Sequence, residues 1–193
     1  ELKRKKHRMV GYNNIGFDYP VLHDLISVSD KALTVSGKAV ATRVYKKAQS
    51  IIGSDDRFGH IIHDKSQYVQ QIDLYKIMHF DNPARATSLK ALEFNMKADS
   101  IVDLPYDPHS DLTDDQIDVL LAYNMHDVKM TLLFYKECLS QITFREELSA
   151  KYDRNFLNHN DTKIGKDYFI MRLEEDMPGS CYRIGKKGER HLN

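Results

Sequence analysis

The chain has 193 residues, equal numbers of Lys+Arg and Asp+Glu at 28 each, and 41% hydrophobic residues. That length holds one substantial domain with an appendage, and the even charge gives no sign of a polyanionic partner. No apolar run reaches the ~20 residues of a membrane-spanning helix, so no membrane partner is expected.

Two cysteines, Cys138 and Cys181, are too few for a disulfide framework and lack metal-ligand spacing. Free thiols in a reducing, cytoplasmic compartment are expected. His60 and His63, three apart on an expected strand, would point to opposite faces and share no ion. The opening Glu1-Leu2-Lys3-Arg4-Lys5 lacks a start methionine and reads as the interior of a longer protein. Lys3 to Arg8, and Lys186, Lys187 and Arg190, are local basic clusters that fit either a nucleic-acid grip or a solvated surface run.

In chain order, Arg8 to Tyr12 reads as a short strand ending at a glycine turn. Pro20 falls in the first turn of a helix whose apolar face is Leu22, Leu25 and Ile26. Asp18 therefore sits at a strand-to-helix junction, as a helix cap or as a metal ligand. Ser36 to Ile52 predicts a second helix, with Val40, Val44, Ala48 and Ile51 on one face and Gly53 as its stop. His60 to His63 and Tyr68 to Ile77 read as paired strands around Asp64-Lys65-Ser66. Asn82-Pro83 breaks the pattern, and Thr87 or Ser88 caps a helix containing Leu89, Leu92 and Met96. Lys90 there is placed to meet a phosphate or simply to face water.

Pro105 and Pro108 mark residues 99–112 as a loop. Thr113-Asp114-Asp115-Gln116 is a capping box opening the longest helix. Its expected apolar stripe is Ile117, Leu120, Leu121, Val128, Leu132, Tyr135 and Leu139, with Asp118, His126, Lys129 and Lys136 facing water. Tyr123 and Asp127, one turn apart, fall together on a flank of that stripe. Thr143 to Tyr152 and Asp161 to Glu174 predict two further helices, and the residues after Met177-Pro178-Gly179 read as loose.

Two stretches carry chemistry when taken together. Gly11-Tyr12-Asn13-Asn14-Ile15-Gly16-Phe17-Asp18 contains Asn-x3-Phe-Asp, and Tyr123-Asn124-Met125-His126-Asp127 contains Tyr-x3-Asp. In this order, about a hundred residues apart, they resemble the second and third motifs of proofreading 3′–5′ exonucleases. Gln71 to Ile77, Thr87 to Glu93 and Asn158 to Lys166 are similar to further segments of phage-type DNA polymerases.

The resemblance implies an α/β, RNase H-like fold: a mixed sheet flanked by helices, here lacking its first strands. Residues 1–140 would be the partial exonuclease domain, and 141–193 a C-terminal helical extension. It implies two Mg²⁺ or Mn²⁺ ions and stepwise release of nucleoside monophosphates from single-stranded DNA 3′ ends. A DNA polymerase domain is the implied partner, in cis or in trans, within a cytoplasm that is a host's if the protein is viral. Asp18 and Asp127 carry over as metal ligands and catalytic carboxylates, Tyr123 as the catalytic tyrosine, and Asn13 and Phe17 as substrate contacts. Ala122 in place of a histidine puts the chain in the tyrosine subclass. The first motif of the family, Asp-x-Glu on a strand, is absent from these residues.

The residue types suit phosphodiester cleavage. Hard divalent ions take oxygen ligands, acidify the attacking water and stabilise the leaving oxygen. A tyrosine with an ordinary pKa near 10 orients water rather than deprotonating it. Phe17 offers a face to an unpaired base or packs in the core. Beside this reading stand a binding module on the same fold whose metal site has decayed, and an exonuclease acting on RNA.

Overall fold

The computed structural model describes residues 4–5, 7–28, 36–184 and 190–192. Lys3, Lys6, Lys186 and Lys187, members of the two basic clusters, lie outside them. The order is β1 (Met9–Gly11), α1 (Asp18–Ser27), α2 (Gly37–Ile52), β2 (Gln71–Asp73), α3 (Leu74–Ile77), α4 (Leu89–Asn95), α5 (Asp114–Glu137), α6 (Leu139–Tyr152), α7 (Asp161–Asp176), β3 (Tyr182–Ile184) and β4 (Arg190–Leu192). The fold is mixed α/β and mostly helical.

Local chemistry sets most boundaries. Ser36 caps α2 by accepting from the Ala39 amide, and Val40, Val44, Ala48 and Ile51 are half-buried as the spacing predicted. Ser88 caps α4, and Thr113 and Gln116 form the reciprocal box that starts α5. Asn160 caps α7. Cys138, buried, joins α5 directly to α6.

The sheet differs from expectation. Residues 60–63 form no strand, and only Gln71–Asp73 of the Tyr68–Ile77 stretch is extended. The reason lies in Asp73, whose carboxylate accepts from the Tyr75 amide at 3.1 Å and turns the chain into α3. β2 pairs instead with β1, in parallel, with Val10 opposite Ile72. In place of a single mixed sheet, the described residues form this parallel pair and a separate antiparallel hairpin of β3 and β4. That hairpin corrects the expectation of a loose C-terminus.

The core gathers Ile72, Leu74, Ile77, Leu92, Phe134, Cys138, Ile142 and Leu157, so residues on both sides of position 140 share one apolar cluster. Arg145, fully buried, donates to the carbonyls of Ile77 (3.2 Å), Gln141 (2.9 Å) and His159 (2.7 Å) and to Asp161 (2.6 Å). A guanidinium with its donors met in this way ties α6 to α3 and to the start of α7.

Helix α5 is rotated relative to the apolar stripe read from sequence. Ile117, Leu121, Val128, Leu132 and Leu139 are 43–61% exposed. The covered face is Gln116, Leu120, Tyr123, His126, Asp127, Met130, Thr131, Phe134, Tyr135 and Cys138, so of the expected stripe Leu120 and Tyr135 are covered. Asp118, Lys129 and Lys136 are exposed as expected, but His126 is half-buried.

Candidate active-site groove

A groove of about 640 Å³ opens between β1 and α5, lined by Met9, Val10, Gly11, Tyr12, Asn14, Asp18, Leu89, Asn124, Asp127, Val128, Thr131, Leu132 and Tyr135. The carboxylates at 18 and 127, distant in sequence, thus face one space. α1 begins at Asp18, so this residue is the first of the helix rather than its cap; Phe17 occupies the cap position without a side-chain bond. By area Asp18 is exposed at the rim. Atoms crowded around its carboxyl nevertheless raise its pKa by desolvation, partly offset by a hydrogen bond from its own amide.

The turn before α1 is held from below. Asp73 is fully buried and accepts from the amides of Asn13 (2.9 Å) and Ile15 (3.1 Å) as well as Tyr75. Burial nonetheless dominates and pushes its pKa up to about 6 against those donors and the nearby Lys76. Asn13 takes a positive φ of 62°, which asparagine tolerates. One glycine is required by space: a Cβ on Gly11 would stand 2.6 Å from the Asn14 Cβ, whereas one on Gly16 would meet only the end of the exposed Asn13 side chain.

Asn14, not Asn13, lines the groove, and its amide orientation follows from a chain of bonds. The Val69 carbonyl can only accept, so Gln71 Nε2 donates to it at 2.7 Å. Gln71 Oε1 must then accept from Asn14 Nδ2, at 2.9 Å. Asn14 Oδ1 is left as a buried acceptor without a protein partner. The Asn-x3-Phe-Asp spacing singled out Asn13, whereas burial singles out Asn14. Asn13 is exposed, and Phe17 is half-buried outside the lining residues.

Tyr123 is half-buried one turn before Asp127 and is not among the residues that line the groove. Burial first, then the neighbouring Asp127 carboxylate, with Glu93 and Asp103 adding to it, push its phenol up to about 12. It therefore remains a proton donor throughout the neutral range. Lys90 Nζ lies 5.2 Å from the centroid of its ring and is ion-paired with Asp103. One oxygen of Asp127, Oδ1, is buried and without a partner.

The orphaned oxygens of Asp127 and Asn14 beside Asp18 are hard donors of the kind magnesium or manganese takes. Among the described residues no three His, Cys, Asp or Glu side chains gather into a metal-binding group. The residues present therefore fit one ion that keeps several waters, not a complete pair of ions. No family model, curated protein or solved structure matches the chain.

Two features of the groove were not legible beforehand. Val10 projects its backbone N–H and C=O away from β2, and among the described residues no strand pairs with that edge. The exposed stripe of Leu121, Met125, Val128 and Leu132 on α5 runs beside it. An open strand edge and a bare apolar helix face thus flank the two carboxylates.

Proposed function

We propose that this chain is part of an RNase H-like, metal-dependent 3′–5′ exonuclease, releasing nucleoside monophosphates from single-stranded DNA 3′ ends beside a DNA polymerase domain. The observation that carries this reading is the shared groove of Asp18 and Asp127, the two acids singled out by the paired motifs. Asp18, Asp127 and Asn14 would hold Mg²⁺ or Mn²⁺, which when bound supplies an acidified water and charge neutralisation at the scissile phosphate.

The chain's own residues do the rest. Tyr123, kept protonated one turn before Asp127 but outside the lining residues, would orient the attacking water as a hydrogen-bond donor. Asn14 presents a buried acceptor of defined direction to a sugar hydroxyl or to metal-bound water. Asp73 keeps the Asn13–Ile15 turn in place beneath it. The open edge of β1 lies where an added strand could bring further carboxylates to the groove, from the same polypeptide or another.

One observation favours a second reading. Among the described residues only two acids line the groove, which suits a module that grips a 3′ end or a polymerase without cutting. The test is a 3′-labelled single strand incubated with the protein and Mg²⁺ or Mn²⁺. The exonuclease reading expects labelled mononucleotide from the parent protein and none from Asp127→Ala. Binding of the 3′ end without release would replace it with the binding module. Release from RNA with DNA spared would move the substrate to RNA.

A further inference from the structure

We propose that Glu93 is a positioning residue for the Tyr123–Asp127 pair, acting through His126. The activity arm of its test rests on the exonuclease reading of the groove; the structural arm does not. Glu93 lies on α4 and is fully buried. Its Oε2 stands 3.3 Å from His126 Nε2 on α5, and its Oε1 is buried with no partner. A carboxyl in that setting costs folding free energy, which an apolar side chain of similar size would not. A group retained against stability points to a task in the site it adjoins.

The helix geometry names the task. At ~100° per residue, His126 is about 60° to one side of Tyr123 and Asp127 about 40° to the other. Pinning His126 to α4 therefore turns Asp127 toward the β1 groove and keeps Tyr123 between them. Lys90, one turn before Glu93 on the same helix, sits over the Tyr123 ring. α4 thus meets the Tyr123–Asp127 turn at two points, the lysine at the phenol and the glutamate at the imidazole.

The deciding comparison is Glu93→Leu with Glu93→Gln in this chain. Glu93→Leu should keep or raise Tm, since it removes the orphaned oxygen. It should shift the ¹⁵N spectrum of the His126 ring from one tautomer to a mixture. It should also lower mononucleotide release from a 3′-labelled strand by on the order of tenfold or more, in kcat rather than KM. Glu93→Gln, which can still accept from the ring, should restore the single tautomer and most of the rate. An unchanged His126 spectrum in Glu93→Leu overturns the proposal, as does a rate loss that follows Tm and KM together. If Glu93→Leu does not fold, the rates of His126→Gln and His126→Ala decide. Only the first can still reach Glu93, so equal rates in the two overturn the proposal. Should the parent protein release no nucleotide, the exonuclease reading fails, and the tautomer measurement alone then decides for or against Glu93.

Discussion

The two edges of the β1–β2 pair are built differently. On the outer edge of β2, the Asn158 side chain takes the place of a third strand: its Oδ1 accepts from the Asp73 amide at 2.8 Å, and its Nδ2 donates to the Gln71 carbonyl at 2.8 Å. Those are the backbone groups that β2 turns away from β1, and one amide meets both. The outer edge of β1 has no such cover among the described residues, and it borders the groove and the bare stripe of α5. Open edges are a liability that folded proteins ordinarily blunt with charge, proline or a covering loop. Here one edge is closed by a single side chain, while the other is left open beside the two acids. The asymmetry places any further strand on the groove side.

The largest effect expected from this comparison is at the closed edge. Asn158→Leu strips the partners from two buried backbone groups and should cost roughly 3 kcal/mol in urea unfolding. A loss below about 1 kcal/mol would mean that solvent or another group already serves that edge, and the contrast between the edges would collapse.

The next effect sharpens the role of Asp73, which joins the closed edge to the turn of the groove. Its folded-state pKa of about 6 lies above the ordinary 3.8. Between those values the folded chain holds a proton that the unfolded chain releases. The resulting stability is fully present below about 3.8 and is lost as pH rises through about 6. Unfolding free energy should therefore fall by roughly 1 kcal/mol from pH 5 to pH 7 through this group. The check is the difference in pH slope between the parent and Asp73→Asn, because His159, whose pKa is lowered chiefly by burial, contributes a slope of opposite sign in both. Equal slopes would show that Asp73 is ionised across the range.

The smallest effect is at the open edge. Val10→Pro removes an N–H that faces away from β2, so it should change stability by less than about 0.5 kcal/mol. A loss as large as that of Asn158→Leu would show that the Val10 amide has a partner and that the edge is covered.

Local signals carried the helices well. Ser36, Ser88, Thr113 and Asn160 start helices where their side chains can accept from exposed amides, and such capping is decided within four residues. The half-buried face of α2 was likewise legible, because its spacing alone sets it. Strand pairing was not. The stretch at 60–63 has the composition of a strand but no ladder, since Asp73 ends β2 early and β1 takes the place beside it. Nor was the full orientation of α5, where packing covered Leu120 and Tyr135 of the apolar stripe but turned the rest of it outward. Tyr123, His126 and Asp127 are covered there by α4 and the groove, while Leu121 and Val128 are left bare.

What the sequence determined by itself is therefore the set of local elements and two motifs of acid, aromatic and amide residues. Capping and helical period act over a few residues and need no distant partner. Tertiary structure alone decided that Asp18 and Asp127 share a groove, that Asn14 rather than Asn13 lines it, and that a buried glutamate backs the helix. Each of these depends on which surfaces meet across more than fifty residues, or on which way a helix is turned, and a linear pattern leaves both open.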